Sequence, residues 1–178
     1  YTWIRDATLT LSSLVILGSL GEAAEFKGWL ERTGAGHPED LQIMYKITGE
    51  RLLPELELTH LAGHRDSRPV RIGNGAAGQL QLDSYGQLME AGHLFARAGG
   101  ELTPSNGAFL AHIADLTGER WHERDQGIWE IRDEPRHFVH SKLNCWVALD
   151  RATKMARAGQ LTGRVDHWER ERDQIAEW

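Results

Sequence analysis

Apolar residues recur at helical spacing along most of the chain. Leu9, Leu11, Leu14, Val15 and Leu17 build one apolar segment, closed by Gly18 and Gly21. Ala23 to Arg32 predicts a second, shorter helix with Phe26 and Trp29 or Leu30 on one face, stopped by Thr33-Gly34-Ala35-Gly36. A third helix is expected from about Ala77 to Ala98, with Leu80, Leu88 and Phe95 as inward anchors. A fourth covers about Ser105 to Thr117, where Phe109, Ile113 and Leu116 recur at i, i+4 and i+7. A fifth follows Pro135, where Val139, Leu143, Trp146 and Val147 share a stripe. A sixth runs from Thr162, with Val165, Trp168, Arg172 and Ile175 on one side. These six group as three consecutive pairs. The expectation is an all-α domain of stacked α-hairpins, with active residues on loops at one end.

Two stretches resist the helical pattern. Residues 34–75 are broken by Pro38, Pro54, Pro69 and glycines. Within them, Leu41 to Ile47 is expected to pair with Leu56 to Leu61 as a β-hairpin around Thr48-Gly49-Glu50. Residues 118–136 form the second stretch. Loops of this length in a compact domain are functional or disordered. These carry Trp, Arg, Asn and Glu instead of Ser and Gly repeats, which favours function.

The 178 residues fit one domain with a sizeable core. A net charge of −6 removes the basic footprint that nucleic acid or an anionic membrane surface would require, and leaves a neutral ligand as the easier partner. Seven Trp against three Tyr suits sugar platforms, and suits core packing equally. Cys145 is the only cysteine, so no internal disulfide forms. It reads as a buried free thiol, and a cytoplasmic location is expected. No apolar run is long enough to span a bilayer, and the opening residues do not read as a signal peptide. The chain starts without Met inside Tyr1-Thr2-Trp3-Ile4-Arg5-Asp6 and stops at Trp178 within a charged helical pattern. Both ends read as cut from something longer.

The sharpest candidate chemistry is Asp125-Gln126-Gly127-Ile128-Trp129-Glu130. A glycosidic oxygen is a poor leaving group and needs a carboxylic acid that stays protonated near neutral pH. Apolar surroundings favour that state, and Ile128, Trp129 and Ile131 flank Glu130. The plainer reading is a loop carboxylate paired with Arg132 or Arg136. Asp6 is a natural N-cap for the first helix. Alternatively, Asp6 and Arg5 grip sugar hydroxyls, a carboxylate accepting from two and a guanidinium donating in a planar fork, beside Trp3 as a stacking wall. The segment from Arg68 to Gly75 lacks the spacing of a nucleotide loop and reads as a turn capping the third helix through Asn74. His137 and His140 lie at i, i+3, but no third ligand stands at a recognisable spacing, so no metal is expected. His137 and Lys142 are better placed as hydrogen-bond donors near a cleft rim. No Ser nucleophile elbow is present.

In order and separation these blocks resemble glycoside hydrolase family 15, the glucoamylase-like enzymes, in their bacterial and archaeal form. The resemblance rests on Trp3-Ile4-Arg5-Asp6-Ala7, on Arg71-Ile72-Gly73-Asn74 with Gln79 and Leu82-Asp83, and on Gly127-Ile128-Trp129-Glu130. It extends through Pro135-Arg136-His137-Phe138-Val139-His140-Ser141-Lys142 and Trp146-Val147-Ala148-Leu149-Asp150-Arg151. It implies an (α/α)6 toroid of twelve helices, of which residues 1–178 hold about half as a partial catalytic domain. It also implies that Glu130 is the general acid and that Arg5 and Asp6 bind the non-reducing glucose. Trp3, Arg71, Asn74, Trp129, His137 and Lys142 complete the expected substrate-binding set. Where fungal members carry a second Glu after the acid, this chain has Ile131, which puts the contacts beyond the scissile bond apart from theirs.

The implied activity is an inverting, exo-acting hydrolysis of α-glucosides that releases β-glucose without metal or cofactor. Starch-type oligosaccharides lead as substrate and trehalose is the alternative. Inversion needs two carboxyl groups about 6.5–9.5 Å apart. The general base is expected beyond Trp178, so this chain alone is expected to be inactive, and half a toroid is expected to expose apolar surface. A non-catalytic carbohydrate-binding domain and a helical interaction module are the readings from other classes.

Overall fold

The computed structural model describes residues 1–34, 39 and 41–178. Among them are six α-helices: α1 (Ile4–Ile16), α2 (Leu20–Gly34), α3 (Asp83–Arg97), α4 (Pro104–Arg120), α5 (Val139–Arg157) and α6 (Val165–Glu177). Four two-residue strands accompany them: β1 (Thr2–Trp3), β2 (Met44–Tyr45), β3 (Leu56–Glu57) and β4 (Arg71–Ile72). The chain is all-α, as the periodicity predicts. The expected glycine stop after α2 falls partly at residues 35–36, outside the described residues.

Packing sorts the helices into two layers. α1, α3 and α5 lie side by side, with the α3–α5 contact the most extensive. Each also packs on its sequence successor, α1 on α2, α3 on α4 and α5 on α6, and α4 touches α6. The closest approach is at Gly86 of α3, where a Cβ would stand 2.3 Å from the Asn144 carbonyl oxygen of α5. Only glycine permits that contact, and it sets the distance between the two helices that carry most of the site. Trp168 of α6 is fully buried, and its indole donates to Asp115 of α4 at 2.7 Å. Trp121 returns a similar bond to Glu171 at 3.0 Å.

Several expectations are corrected. α1 begins at Ile4, ahead of Asp6, so Trp3 is its N-cap residue and Asp6 lies exposed in the first turn instead of capping it. Leu9 and Leu17 of its apolar run are exposed; Leu11 and Val15 carry its buried face. The Leu41–Ile47 segment does not pair with Leu56–Leu61. A tight turn does exist there, with Gly49 at φ 89 and its N–H bonded to the Lys46 carbonyl. However, β2 pairs antiparallel with β1, and β3 with β4. The turn supplies a reversal, while the sheet partner is chosen by what each strand can bury: Met44 and Tyr45 are fully buried against the start of the chain, whereas β3 is exposed.

The third helix begins six residues later than its pattern suggests. Gly75–Gly78 forms a 3-10 turn capped by Asn74, whose side chain accepts from the Ala76 N–H at 2.9 Å. Beyond it the backbone is engaged elsewhere: the Leu80 carbonyl accepts from Gln126 N at 3.1 Å and the Leu82 N–H donates to Asp125 at 3.0 Å. Residues 79–82 therefore serve as a shelf for the Glu130 loop instead of a first helical turn.

On α5 the Val139–Leu143 stripe faces outward. The buried side is Ser141, Asn144, Cys145, Ala148, Leu149 and Ala152, small enough to admit α3. Val139, Leu143 and Trp146 instead join Ile175 and Trp178 around an open apolar cavity of about 490 Å³. Among the described residues no helix is long and apolar enough to cross a membrane.

Candidate active site

The N-termini of α1, α3 and α5 converge, and the polar residues singled out in the sequence gather there. Arg5 stands in the first turn of α1, Asp83 opens α3, and His140 lies in the first turn of α5. Arg5 Nη1 donates to Gln81 Oε1 at 3.3 Å and lies 3.4 Å from Asp83 Oδ2. His140 Nδ1 is 3.9 Å from the same oxygen. Burial pushes the Asp83 carboxyl above its ordinary value of 3.8; Arg5 and His140 pull it back, and neighbouring Asp125 adds to the rise.

Glu130 reaches this cluster on a loop whose base is closed by backbone. Asp125 and Arg136 exchange two hydrogen bonds, at 2.9 and 2.8 Å. Asp125 itself is fully buried and its Oδ2 accepts from the Ser141 hydroxyl at 2.7 Å as well as from Leu82 N. One carboxylate thus staples the loop to the starts of α3 and α5, where helix dipoles favour negative charge. Gly127 turns the chain at φ 65, with a Cβ position only 2.8 Å from the Phe138 ring. Gln79 Nε2 donates to the Ile131 carbonyl at 2.9 Å and approaches the Glu130 carbonyl at 3.5 Å.

Glu130 sits at φ 51, a left-handed conformation that a non-glycine residue adopts at a cost of about 1–3 kcal/mol. Such strain persists where surrounding contacts over-determine it. Here the last contact is made by the side chain: Trp3 Nε1 donates to Glu130 Oε1 at 2.5 Å. The indole beside this carboxyl therefore comes from 127 residues away. Trp129, its sequence neighbour, is 85% exposed.

The remaining candidates distribute around this core. Asp6 is exposed one residue beyond Arg5. Arg71 is exposed, 3.1 Å from Glu57 and 3.7 Å from Glu55. Glu55 also accepts from Gly75 N at 3.1 Å and from Arg132 at 3.0 Å, so a rim of ion pairs joins the Arg71–Asn74 segment to the end of the Glu130 loop. His137 is exposed, its ring 5.7 Å from that of Trp178. Lys142 is buried, and its ammonium donates to the carbonyls of Trp121 and Glu123. Desolvation lowers its pKa below the ordinary 10.5. Its charge underpins the loop from beneath. His137 and His140 diverge, one towards Trp178 and the other towards Asp83. Cys145 is fully buried and its thiol is pushed up to about 12, consistent with a packing role.

Gln81, Asp83, Asp125 and His140 are the site residues that the sequence reading left without a role. A signal for the first two exists: Gln79-Leu80-Gln81-Leu82-Asp83 alternates polar and apolar, the mark of extended backbone with one polar face. Gln79 Oε1, Gln81 Nε2, Asp83 Oδ1, Asp125 Oδ1, Gln126 Oε1 and His140 Nδ1 are buried with no hydrogen-bond partner among the described residues. Unsatisfied groups are rare in a core built for stability alone. Four more such atoms, on His93, Thr153, His167 and Glu169, lie elsewhere among the described residues, so these six are the larger group and make this end the candidate site.

Comparison with known proteins bears on the same end. A trehalase of Mycolicibacterium smegmatis is 41% identical over 173 residues, covering 94% of this chain and 26% of the relative. A trehalase of Mycobacterium tuberculosis is 40% identical over 178 residues, covering 98% and 26%. A trehalase of Thermoplasma acidophilum is 35% identical over 175 residues, covering 98% and 30%. The chain thus spans under a third of the length of these relatives. No solved structure matches it. The model described as Glycosyl hydrolases family 15 matches residues 1–178, so the chain belongs to that family.

Proposed function

We propose that this chain supplies the acid-donating half of an inverting α-glucoside hydrolase whose substrate is trehalose. Glu130 protonates the bridging oxygen as the bond to the departing glucose breaks. A second carboxylate, outside these 178 residues, takes a proton from the attacking water on the opposite face. Arg5 and Asp6 hold the hydroxyls of the non-reducing glucose, and Trp3 forms its wall. Arg71, Asn74, Trp129, His137 and Lys142 line or support the approach. Half of an (α/α)6 toroid is the architecture that fits this assignment. The hydrogen bond from Trp3 to Glu130 is the observation that carries it, because Trp3 is the N-cap residue of α1, whose first turn holds Arg5. The relatives named trehalase favour trehalose over the starch-type substrates expected first.

The test is Glu130→Gln in the full-length protein carrying this chain, assayed on trehalose, maltose, maltotriose and isomaltose. Trehalose hydrolysis with release of β-glucose is expected in the parent, and kcat is expected to fall by about 10²–10⁴-fold in the variant with sugar binding retained. Unchanged kcat in the variant would overturn the role of Glu130 and leave a carbohydrate-binding domain. A parent that prefers maltotriose would overturn the choice of substrate.

A further inference from the structure

Arg5 is tied into the molecule twice, and both ties lead to the same pair of helices. Its guanidinium Nη1 meets two acceptors at the start of α3, Gln81 Oε1 at 3.3 Å and fully buried Asp83 Oδ2 at 3.4 Å. His140 Nδ1 stands 3.9 Å behind that carboxylate oxygen. His140 is held in turn by Asn144, whose Nδ2 lies 3.2 Å from the imidazole Nε2 and 3.0 Å from the His140 carbonyl. Asn144 Oδ1 accepts from Gln87 Nε2 at 3.1 Å, and Gln87 Oε1 lies 3.5 Å from the Thr8 hydroxyl oxygen. Thr8 donates to the backbone carbonyl of Arg5 at 2.8 Å. These contacts trace a path that leaves Arg5 through its side chain, crosses α3 and α5, and returns to the Arg5 backbone; its Asp83–His140 step is a charge approach at 3.9 Å and the others are hydrogen bonds or polar approaches.

The path is a poor device for stability. Asp83 Oδ1, Gln81 Nε2 and His140 Nδ1 are buried without partners among the described residues, which opposes folding. It is a good device for aim. A guanidinium donates in a rigid plane, so its bonds to two hydroxyls depend on orientation as well as on distance. The described contacts all fall on Nη1, and they fix that plane from one edge.

We infer that Asp83 and Gln81 are positioning residues that aim the Arg5 fork at sugar hydroxyls, with His140 bracing Asp83 from α5. This rests on the reading of Arg5 as a sugar contact given above. Neither Asp83 nor Gln81 need touch the sugar for the effect to operate.

A double-mutant cycle in the full-length protein tests the inference, on whichever of trehalose and maltose the parent hydrolyses. Asp83→Asn and Gln81→Met are made singly and in an Arg5→Ala background. Each single variant is expected to lose roughly tenfold to a hundredfold in kcat/KM, mostly through KM. In the Arg5→Ala background neither is expected to change kcat/KM by more than about twofold, since Arg5 is the route through which both act. Full multiplicative losses in that background would overturn the inference, as would single variants that keep kcat/KM within about twofold of the parent. If Arg5→Ala itself leaves kcat/KM unchanged, the sugar-contact reading of Arg5 fails and takes the inference with it. Should Asp83→Asn fail to fold, Gln81→Met decides by the same criterion.

Discussion

Carboxylates organise both the floor of the site and its rim, yet they do so under opposite conditions. On the floor, Asp83 and Asp125 are fully buried among the starts of three helices. At the rim, Glu55 and Glu57 pair with Arg71 and Arg132 in the open. In water an ion pair gains little, because solvent screens it and two long side chains lose freedom. Inside, each polar bond replaces one that water can no longer make, so its loss leaves an orphan. The floor therefore fixes the positions of Arg5 and Glu130, while the rim can rearrange around a ligand at little cost.

The largest effect expected from this contrast is at Asp125. Asp125→Ala orphans the Leu82 N–H and the Ser141 hydroxyl together and removes the anchor of the Glu130 loop. A loss of about 3 kcal/mol in urea unfolding is expected. A variant as stable as the parent would show that the floor is no firmer than the rim.

A smaller, pH-dependent effect belongs to Asp83. Its folded pKa is raised, so between 3.8 and that raised value the native state holds more proton than the unfolded state. Its contribution to stability therefore declines as pH rises through that window and stays lost above it. Asp83→Asn removes this slope, and the stability of the variant relative to the parent should grow as pH rises from 3.8 through the raised value. A relative stability that is flat with pH would contradict the burial of this carboxyl.

The smallest effect is expected at the rim. Glu55→Gln should leave the unfolding midpoint unchanged within error, at low and at high salt alike. A clear drop at low salt, abolished by salt, would mean that the rim pairs act as structure.

Much of this was legible from residue order. All six helices were visible as apolar periodicity, because each buries a stripe along its own length and needs no knowledge of its partner. The motif blocks around Arg5, Asn74, Glu130 and His140 were also legible, since their chemistry is local. What failed was every feature whose energy depends on a distant partner. The turn at Gly49 was real, but its strands found β1 and β4. Leu80 spaces with Leu88 and Phe95 as if already in α3, yet its carbonyl and the Leu82 N–H bond to the Glu130 loop. Val139 and Leu143 read as core and line an open cavity.

By itself, then, the sequence determined the helices, the family and the candidate acid. These follow from spacing and side-chain chemistry, which neighbours along the chain express in full. Only the tertiary structure decided that Trp3, not Trp129, supplies the indole beside Glu130, and that Asp83 lies under Arg5. Those pairings span 127 and 78 residues, and they exist because three helices present their N-termini to one another. Distance along a chain carries no information about which buried donor will lack an acceptor until the helices have packed.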